Sequence, residues 1–202
     1  MTKIKLCGLK RVCDIEYVNE LVPDYIGFVF AKGSKRYVTP QEAEVLRKQL
    51  RQEIIPVGVF VNEEMNVIAD LIHRNIIQAV QLHGNEDAAY IRALQRAAGC
   101  TIIKAFQIKE KQDVTEANES PADYVLLDSG SGSGKVFDWT LLQEIKRPYF
   151  LAGGLTPENV GEAIKELSPY AVDASSSLET GEKKDREKMN AFVRAVRKEG
   201  LV

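Results

Sequence analysis

Two side chains able to move protons stand at the ends of short apolar runs, far apart in the chain. Asp128 follows Tyr124-Val125-Leu126-Leu127 and opens a glycine- and serine-rich run in the segment YVLLDSGSGSGKVFDW, residues 124–139. A buried strand that carries an acid to its C-terminal end, with a polar loop after it, is how a barrel or an open sheet presents a catalytic carboxyl group. Gly130, Gly132 and Gly134 would let that loop adopt positive φ angles and come close to a ligand. An interdomain linker has the same composition, but strand-like and helix-like segments flank the run closely on both sides. Cys7 closes the run Ile4–Cys7 and is followed at once by Gly8. A cysteine is by default a small buried hydrophobe; a strand end beside glycine shifts the reading towards a reactive thiol. Cys13, at a helix start, and Cys100, just ahead of a strand, have no such place and read as structural.

These two residues need a scaffold that brings strand ends together. Short apolar runs suited to buried parallel strands occur at Ile4–Cys7, Tyr25–Phe30, Ile55–Val61, Ala79–Leu82, Ile102–Phe106, Tyr124–Leu127, Tyr149–Ala152 and Tyr170–Asp173. They lack strict alternation, as strands covered on both faces do. Helical segments lie between them. Thr39-Pro40, with Glu42 at the capping-box position, opens one; Asn62 ahead of Glu63-Glu64 opens another; Thr156-Pro157-Glu158 opens a third. A final helix over about residues 185–198 places Met189, Phe192, Val193 and Val196 on one stripe. Roughly eight strand–helix units predict an α/β fold, a (β/α)8 barrel spanning residues 1–202 as a single domain. A doubly wound open sheet lacks support, because no G-x-G-x-x-G follows the first strand.

In such a barrel the site is built from the C-terminal strand ends. Strand four brings Gln81, with His83 just beyond, and strand eight brings Asp173. After strand seven, LAGGLTPENV exposes the backbone at Gly153 and Gly154; after strand eight, VDASSSLETG offers Ser175, Ser176 and Ser177. Two such loops in those two positions read as a phosphate cradle. The basic loop AKGSKRYVTP after strand two carries Arg36, suited to a bidentate pair with a substrate carboxylate. A solvated turn is the plainer reading of that loop. With His73 the only other histidine, no histidine metal site is expected.

Composition narrows the partners. The 202 residues carry a formal net charge of −2, 45% hydrophobic and 28% charged side chains. No basic cluster points to nucleic acid, and no apolar run approaches the ~20 residues of a membrane span. The opening MTKIKLCGL is too quickly interrupted for a secretory signal. Three cysteines without CxxC spacing predict reduced thiols and a cytoplasmic location.

Taken in order, KLCGL, FxxxSKRYVTP, VGVFVN, QLHGNE, LLDS, KVFDW, LAGGLTPENV and VDASSSLE resemble the phosphoribosylanthranilate isomerase family over essentially the whole chain. The resemblance implies a (β/α)8 barrel of tryptophan biosynthesis. The implied reaction is a cofactor-free Amadori rearrangement of N-(5-phosphoribosyl)anthranilate to 1-(2-carboxyphenylamino)-1-deoxy-D-ribulose 5-phosphate. It implies Cys7 as general base, Asp128 as general acid, Arg36 on the anthranilate carboxylate, and Gly153, Gly154, Ser175 and Ser176 on the phosphate. The partner is then a small phosphorylated substrate, with the protein a monomer or a homodimer. Two departures stand out. Residues 131–134 are Ser-Gly-Ser-Gly where the family has Gly-Gly-Thr-Gly, and Ser177-Leu178 replaces Gly-Val. If that glycine needs positive φ, Ser177 introduces strain.

For this chemistry Cys7 must ionise, and cationic neighbours are expected to lower its pKa. The sixth loop is expected to shield Asp128 from water. The rival readings are another sugar-phosphate barrel enzyme and a catalytically silent phosphate-binding barrel. An epimerase or a Schiff-base lyase would represent the first, with Lys104 as the lysine of the lyase.

Overall fold

Eight parallel strands hydrogen-bond in chain order and close, β8 pairing with β1. The computed structural model describes residues 1–128 and 139–200, so the glycine- and serine-rich run after Asp128 lies outside the described residues. The strands are β1 (Lys3–Cys7), β2 (Tyr25–Val29), β3 (Ile55–Phe60), β4 (Ala79–Leu82), β5 (Thr101–Gln107), β6 (Tyr124–Asp128), β7 (Tyr149–Ala152) and β8 (Ala171–Ala174). Each matches its apolar run to within one or two residues. Helices α1 (Val12–Leu21), α2 (Pro40–Gln49), α3 (Met65–His73), α4 (Ala88–Ala98) and α5 (Lys111–Glu119) follow the first five strands in turn. After β6 the described chain holds a 3-10 helix, Trp139–Glu144, before α6 (Val160–Leu167) and α7 (Arg186–Lys198) complete the outer layer.

Burial on both faces explains the unbroken apolar runs. One side of the strands packs against the helices in a large core that includes Leu6, Ile26, Val80, Leu127 and Val172, with Met189, Phe192, Val193 and Val196 of α7. The other side fills the barrel with Val57, Ile103, Leu126 and Phe150. Tyr25, Tyr124 and Tyr170 gather round Phe150 towards the N-terminal strand ends, with the Tyr25 and Tyr170 hydroxyls 3.0 Å apart. A filled barrel of this kind is a packed core rather than a pore, which leaves the C-terminal mouth for a ligand.

Helix starts are legible where a side chain caps them. Thr39 accepts from the Glu42 N–H while Glu42 reaches back to the Thr39 N–H at 2.7 Å, a full capping box ahead of Pro40. Asp185 caps α7 through the N–H groups of Glu187 and Lys188. Two expected starts move. Asn62 does not cap α3, which begins at Met65; its φ is +51° and its Oδ1 accepts from the Asn85 N–H. Thr156-Pro157 opens a turn, Thr156 accepting from Val160 N–H, and regular helix begins only at Val160.

Candidate active site

A cavity of about 250 Å³ opens at the C-terminal strand ends, and it gathers every residue singled out for the site. Its lining includes Cys7, Arg36, Gln81, His83, Asp128, Gly153, Gly154, Asp173, Ser175 and Ser176. Residues 7 and 128 therefore reach one space although more than a hundred positions separate them, because parallel closure aligns the strand ends.

The β1 end is built by close packing. Cys7 pairs in register with Gly27 of β2, and a Cβ on Gly27 would lie 2.5 Å from the Cys7 Sγ. Gly8 has φ +82°, and a Cβ there would stand 2.3 Å from Cδ of Arg36. These two glycines make room for the thiol and let Arg36 cross the strand end. Lys5, two residues before Cys7 on the same inward face, is fully buried. Its Nζ donates to Oδ2 of Asp173, its register partner on β8, at 2.9 Å. Asp173 Oδ1 is buried and has no partner among the described residues.

Burial dominates the electrostatics here. It pushes the Cys7 thiol above its ordinary value, against the pull of Lys5 and Lys184. The expected lowering by cations therefore does not prevail: the neighbours are present, but desolvation outweighs them. Burial also works against the Lys5 ammonium, yet Asp173 and Cys7 hold it above the usual lysine value. The Asp173 carboxyl is pushed up by burial, so the pair as a whole keeps its proton.

Across the mouth, β4 and β6 supply the other half. The Gln81 Nε2 and His83 Nδ1 lie 3.1 Å apart, and His83 Nε2 is 4.0 Å from Asp128 Oδ2. Burial lowers His83, outweighing Asp128 and Asp173, so the ring is neutral near pH 7. A Gln81 amide donating to Nδ1 would place the ring proton on Nε2, the nitrogen nearest Asp128. Gln81 Oε1, like Asp173 Oδ1, is a buried acceptor without a partner among the described residues.

The seventh and eighth loops close the ring. Gly153 and Gly154 take φ +94° and +65° in succession, and a Cβ on Gly154 would meet nothing within 4 Å. Backbone conformation, not space, requires glycine at residue 154. Ser175 Oγ donates to the Cys7 carbonyl at 3.0 Å, tying the eighth loop to the first strand. Ser177 lies in a 3-10 turn over Ser176–Leu178 and is not among the residues with positive φ, so the strain considered for it does not arise.

Three residues of this region escaped the sequence reading: Lys5, Glu179 and Lys184. The last two face each other in a hairpin of β9 (Glu179–Thr180) and β10 (Lys183–Lys184), whose turn residues Gly181 and Glu182 both have positive φ. Glu179 accepts from Lys184 Nζ at 2.6 Å and from Arg36 Nε and Nη2 at 2.6 and 2.7 Å. Lys184 also donates to the Ser175 carbonyl at 2.9 Å. Burial raises and the two cations lower the Glu179 carboxyl, with the cations prevailing. The Nε/Nη2 edge of Arg36 is thus engaged, leaving Nη1 and the outer side of Nη2. Two signals could have found these three residues: period-two spacing from Cys7 back to Lys5, and the Thr-Gly-Glu-Lys turn that makes the hairpin.

Lys104, the candidate for Schiff-base chemistry, is held elsewhere. Its Nζ donates to the Gly84 carbonyl at 2.6 Å and to Glu86 at 3.1 Å, and it does not line the cavity. Among the described residues, no cluster of three or more His, Cys, Asp or Glu is placed to hold a metal. No helix there is long and apolar enough to cross a membrane.

Comparison with known proteins agrees with this geometry. A profile of the N-(5'-phosphoribosyl)anthranilate (PRA) isomerase family matches residues 4–195. The N-(5'-phosphoribosyl)anthranilate isomerase of Lachnoclostridium phytofermentans is 44% identical, over 95% of each chain. The phosphoribosyl anthranilate isomerase of Thermotoga maritima superposes with a TM-score of 0.88 at 36% identity, covering 98% of this chain and all of that one. A phosphoribosyl anthranilate isomerase solved with reduced 1-(o-carboxyphenylamino)-1-deoxyribulose 5-phosphate matches with TM-score 0.87 and 34% identity, covering 98% and 100%. The chain belongs to the N-(5'-phosphoribosyl)anthranilate isomerase family.

Proposed function

We propose that this cavity carries out the Amadori rearrangement of N-(5'-phosphoribosyl)anthranilate, with Cys7 as general base and Asp128 as general acid. The observation that carries the reading is the meeting of these two residues in one cavity that the loops at Gly153-Gly154 and Ser175-Ser176 also line. Asp128 as the acid protonates the furanose ring oxygen; the C1–O bond breaks and the substrate nitrogen supplies the electron pair of a C1=N iminium. Cys7 as thiolate takes the proton from C2, the C2–H pair becomes the C1=C2 bond, and the iminium electrons return to nitrogen. The resulting enolamine tautomerises to the C2 ketone. The substrate's own nitrogen is the electron sink, so the scheme has no step for a metal or cofactor.

The other residues divide the substrate among them. Backbone and hydroxyl donors of the seventh and eighth loops receive the phosphate. The unpartnered acceptors Asp173 Oδ1 and Gln81 Oε1 suit the sugar hydroxyls. The Nη1/Nη2 edge of Arg36 meets the anthranilate carboxylate, while Glu179 fixes the guanidinium plane from behind. Neutral His83 donates towards Asp128 and steadies the carboxylate formed when the acid gives up its proton. The decisive assay follows loss of phosphoribosylanthranilate fluorescence, with substrate made in situ and the pure protein added without cofactor. Absence of turnover under those conditions would refute the reading.

A further inference from the structure

Lys5 has no part in the steps above, yet its position is hard to explain by packing alone. A lysine is almost never wholly buried unless paired, and Lys5 has no exposed side-chain surface. Its partner Asp173, a residue of the cavity lining, gives it one oxygen and keeps the other buried without a partner among the described residues. A pair kept only to join β1 to β8 would be expected to have its acceptors satisfied. Alternation along β1 places Lys5 and Cys7 on the same inward face, one step apart. The other charged groups round the thiol are Asp173 on β8, Lys184 on β10 and Arg36 on the second loop; His83 and Asp128 face Asp173 from β4 and β6.

We propose that Lys5 is a positioning residue for the isomerisation: fixed and kept cationic by Asp173, it is the counter-charge beneath Cys7 that makes a thiolate tenable in a water-poor cavity. The inference rests on Cys7 being the base. The Cys7 proton leaves to solvent before substrate binds, while Lys5 keeps its own throughout. Lys5, Asp173 and the thiolate together then carry a charge of −1 instead of the −2 left without the lysine.

The test is iodoacetamide alkylation of the whole native chain across pH, with Cys7 resolved from Cys13 and Cys100 by peptide mass. Lys5→Met is expected to move the Cys7 profile to higher pH by about one unit or more, so that alkylation at a fixed pH below the midpoint slows about tenfold. Asp173→Asn is expected to move it to lower pH, because a negative charge near the thiol is lost. A purely structural pair would leave the profile in place in every variant that folds, and that result overturns the proposal. Should Lys5→Met unfold by stranding Asp173, the double variant Lys5→Met/Asp173→Leu removes both charges. Compared with Asp173→Asn, from which its charge differs by the lysine alone, it is expected to show the upward shift, and a profile unmoved or lowered relative to Asp173→Asn overturns the proposal equally. Alkylation does not depend on turnover, so this outcome is separate from that of Cys7→Ala in the isomerase assay, which tests the base itself.

Discussion

Two of the lysine–carboxylate pairs buried among the described residues differ in how completely they are satisfied. At the β4–β5 side, Glu86 accepts from the Asn62 N–H at 2.7 Å, the Gly84 N–H at 3.0 Å and Lys104 at 3.1 Å, while Lys104 also donates to the Gly84 carbonyl. Both carboxylate oxygens are engaged, and the pair fastens the third and fourth loops to each other. At the β1–β8 side, Lys5 and Asp173 share one bond of 2.9 Å, and the second carboxylate oxygen is buried without a partner among the described residues. Burial and ion pairing are common to both; what separates a fastening from a working site is the unspent hydrogen-bonding capacity. An acceptor left open inside a protein is costly unless something else fills it. A ligand hydroxyl is the natural candidate for Asp173.

The sharpest way to break this contrast is to compare removal of the chemistry with removal of the fastening. Cys7→Ala and Asp128→Asn are each expected to lower turnover by roughly 10²–10⁴-fold with thermal stability little changed, measured by the fluorescence assay and by calorimetry. Turnover near the parent level in either variant would dissolve the acid–base pair. Lys104→Met should do the reverse. It strands Glu86 and is expected to remove about 3–5 kcal/mol of stability in a denaturant titration, while turnover per folded molecule stays near that of the parent. If turnover fell and stability did not, the two pairs would have to exchange roles.

Arg36→Ala has a smaller expected effect and sharpens the picture at the rim. Losing a charge-assisted contact of about 1.5–3 kcal/mol should raise KM by roughly 10–100-fold with kcat less affected; a selective loss of kcat would contradict carboxylate binding. The smallest effect concerns Glu179, which Arg36 and Lys184 hold below the ordinary carboxylate value against the opposing effect of burial. A lowered folded-state pKa means that the ionised form is stabilised by folding. Its contribution is present above the unfolded value of about 4.3 and is lost as pH falls through the folded one. Between about pH 5 and pH 3 the parent chain should therefore lose more stability than Glu179→Gln. Equal losses in urea titrations would show that the hairpin carboxylate does not couple to folding.

Much of the architecture could be read from the chain because its signals are local. The eight strands appear as unbroken apolar runs since both faces are covered, and Thr39-Pro40 with Glu42 announces α2 through groups only three residues apart. Starts without a side-chain cap misled: α3 begins three residues after Asn62, and α6 four residues after Thr156. The residues gathered in the cavity were legible as strand ends or glycine- and serine-bearing loops. Glu179 and Lys184 were not, because their value comes from a two-residue turn that sets them opposite each other and delivers them to Arg36. Nor was the balance on Cys7: its cationic neighbours were expected, but how deeply the thiol is desolvated depends on Gly27, Val29 and Val59 packing round it.

Periodicity and motif order were enough, then, to establish a (β/α)8 barrel, its family resemblance, and Cys7 and Asp128 as the residues to examine. Those properties follow from short-range pattern, where each run of side chains answers to its own strand or helix. Which charges face one another was decided by closure of the barrel. Joining β8 to β1 sets Asp173 against Lys5, and folding the β9–β10 hairpin against the loop after β2 sets Glu179 and Lys184 beside Arg36. Electrostatic energy depends on distance and on the water excluded between charges, and neither quantity exists until distant parts of the chain have met.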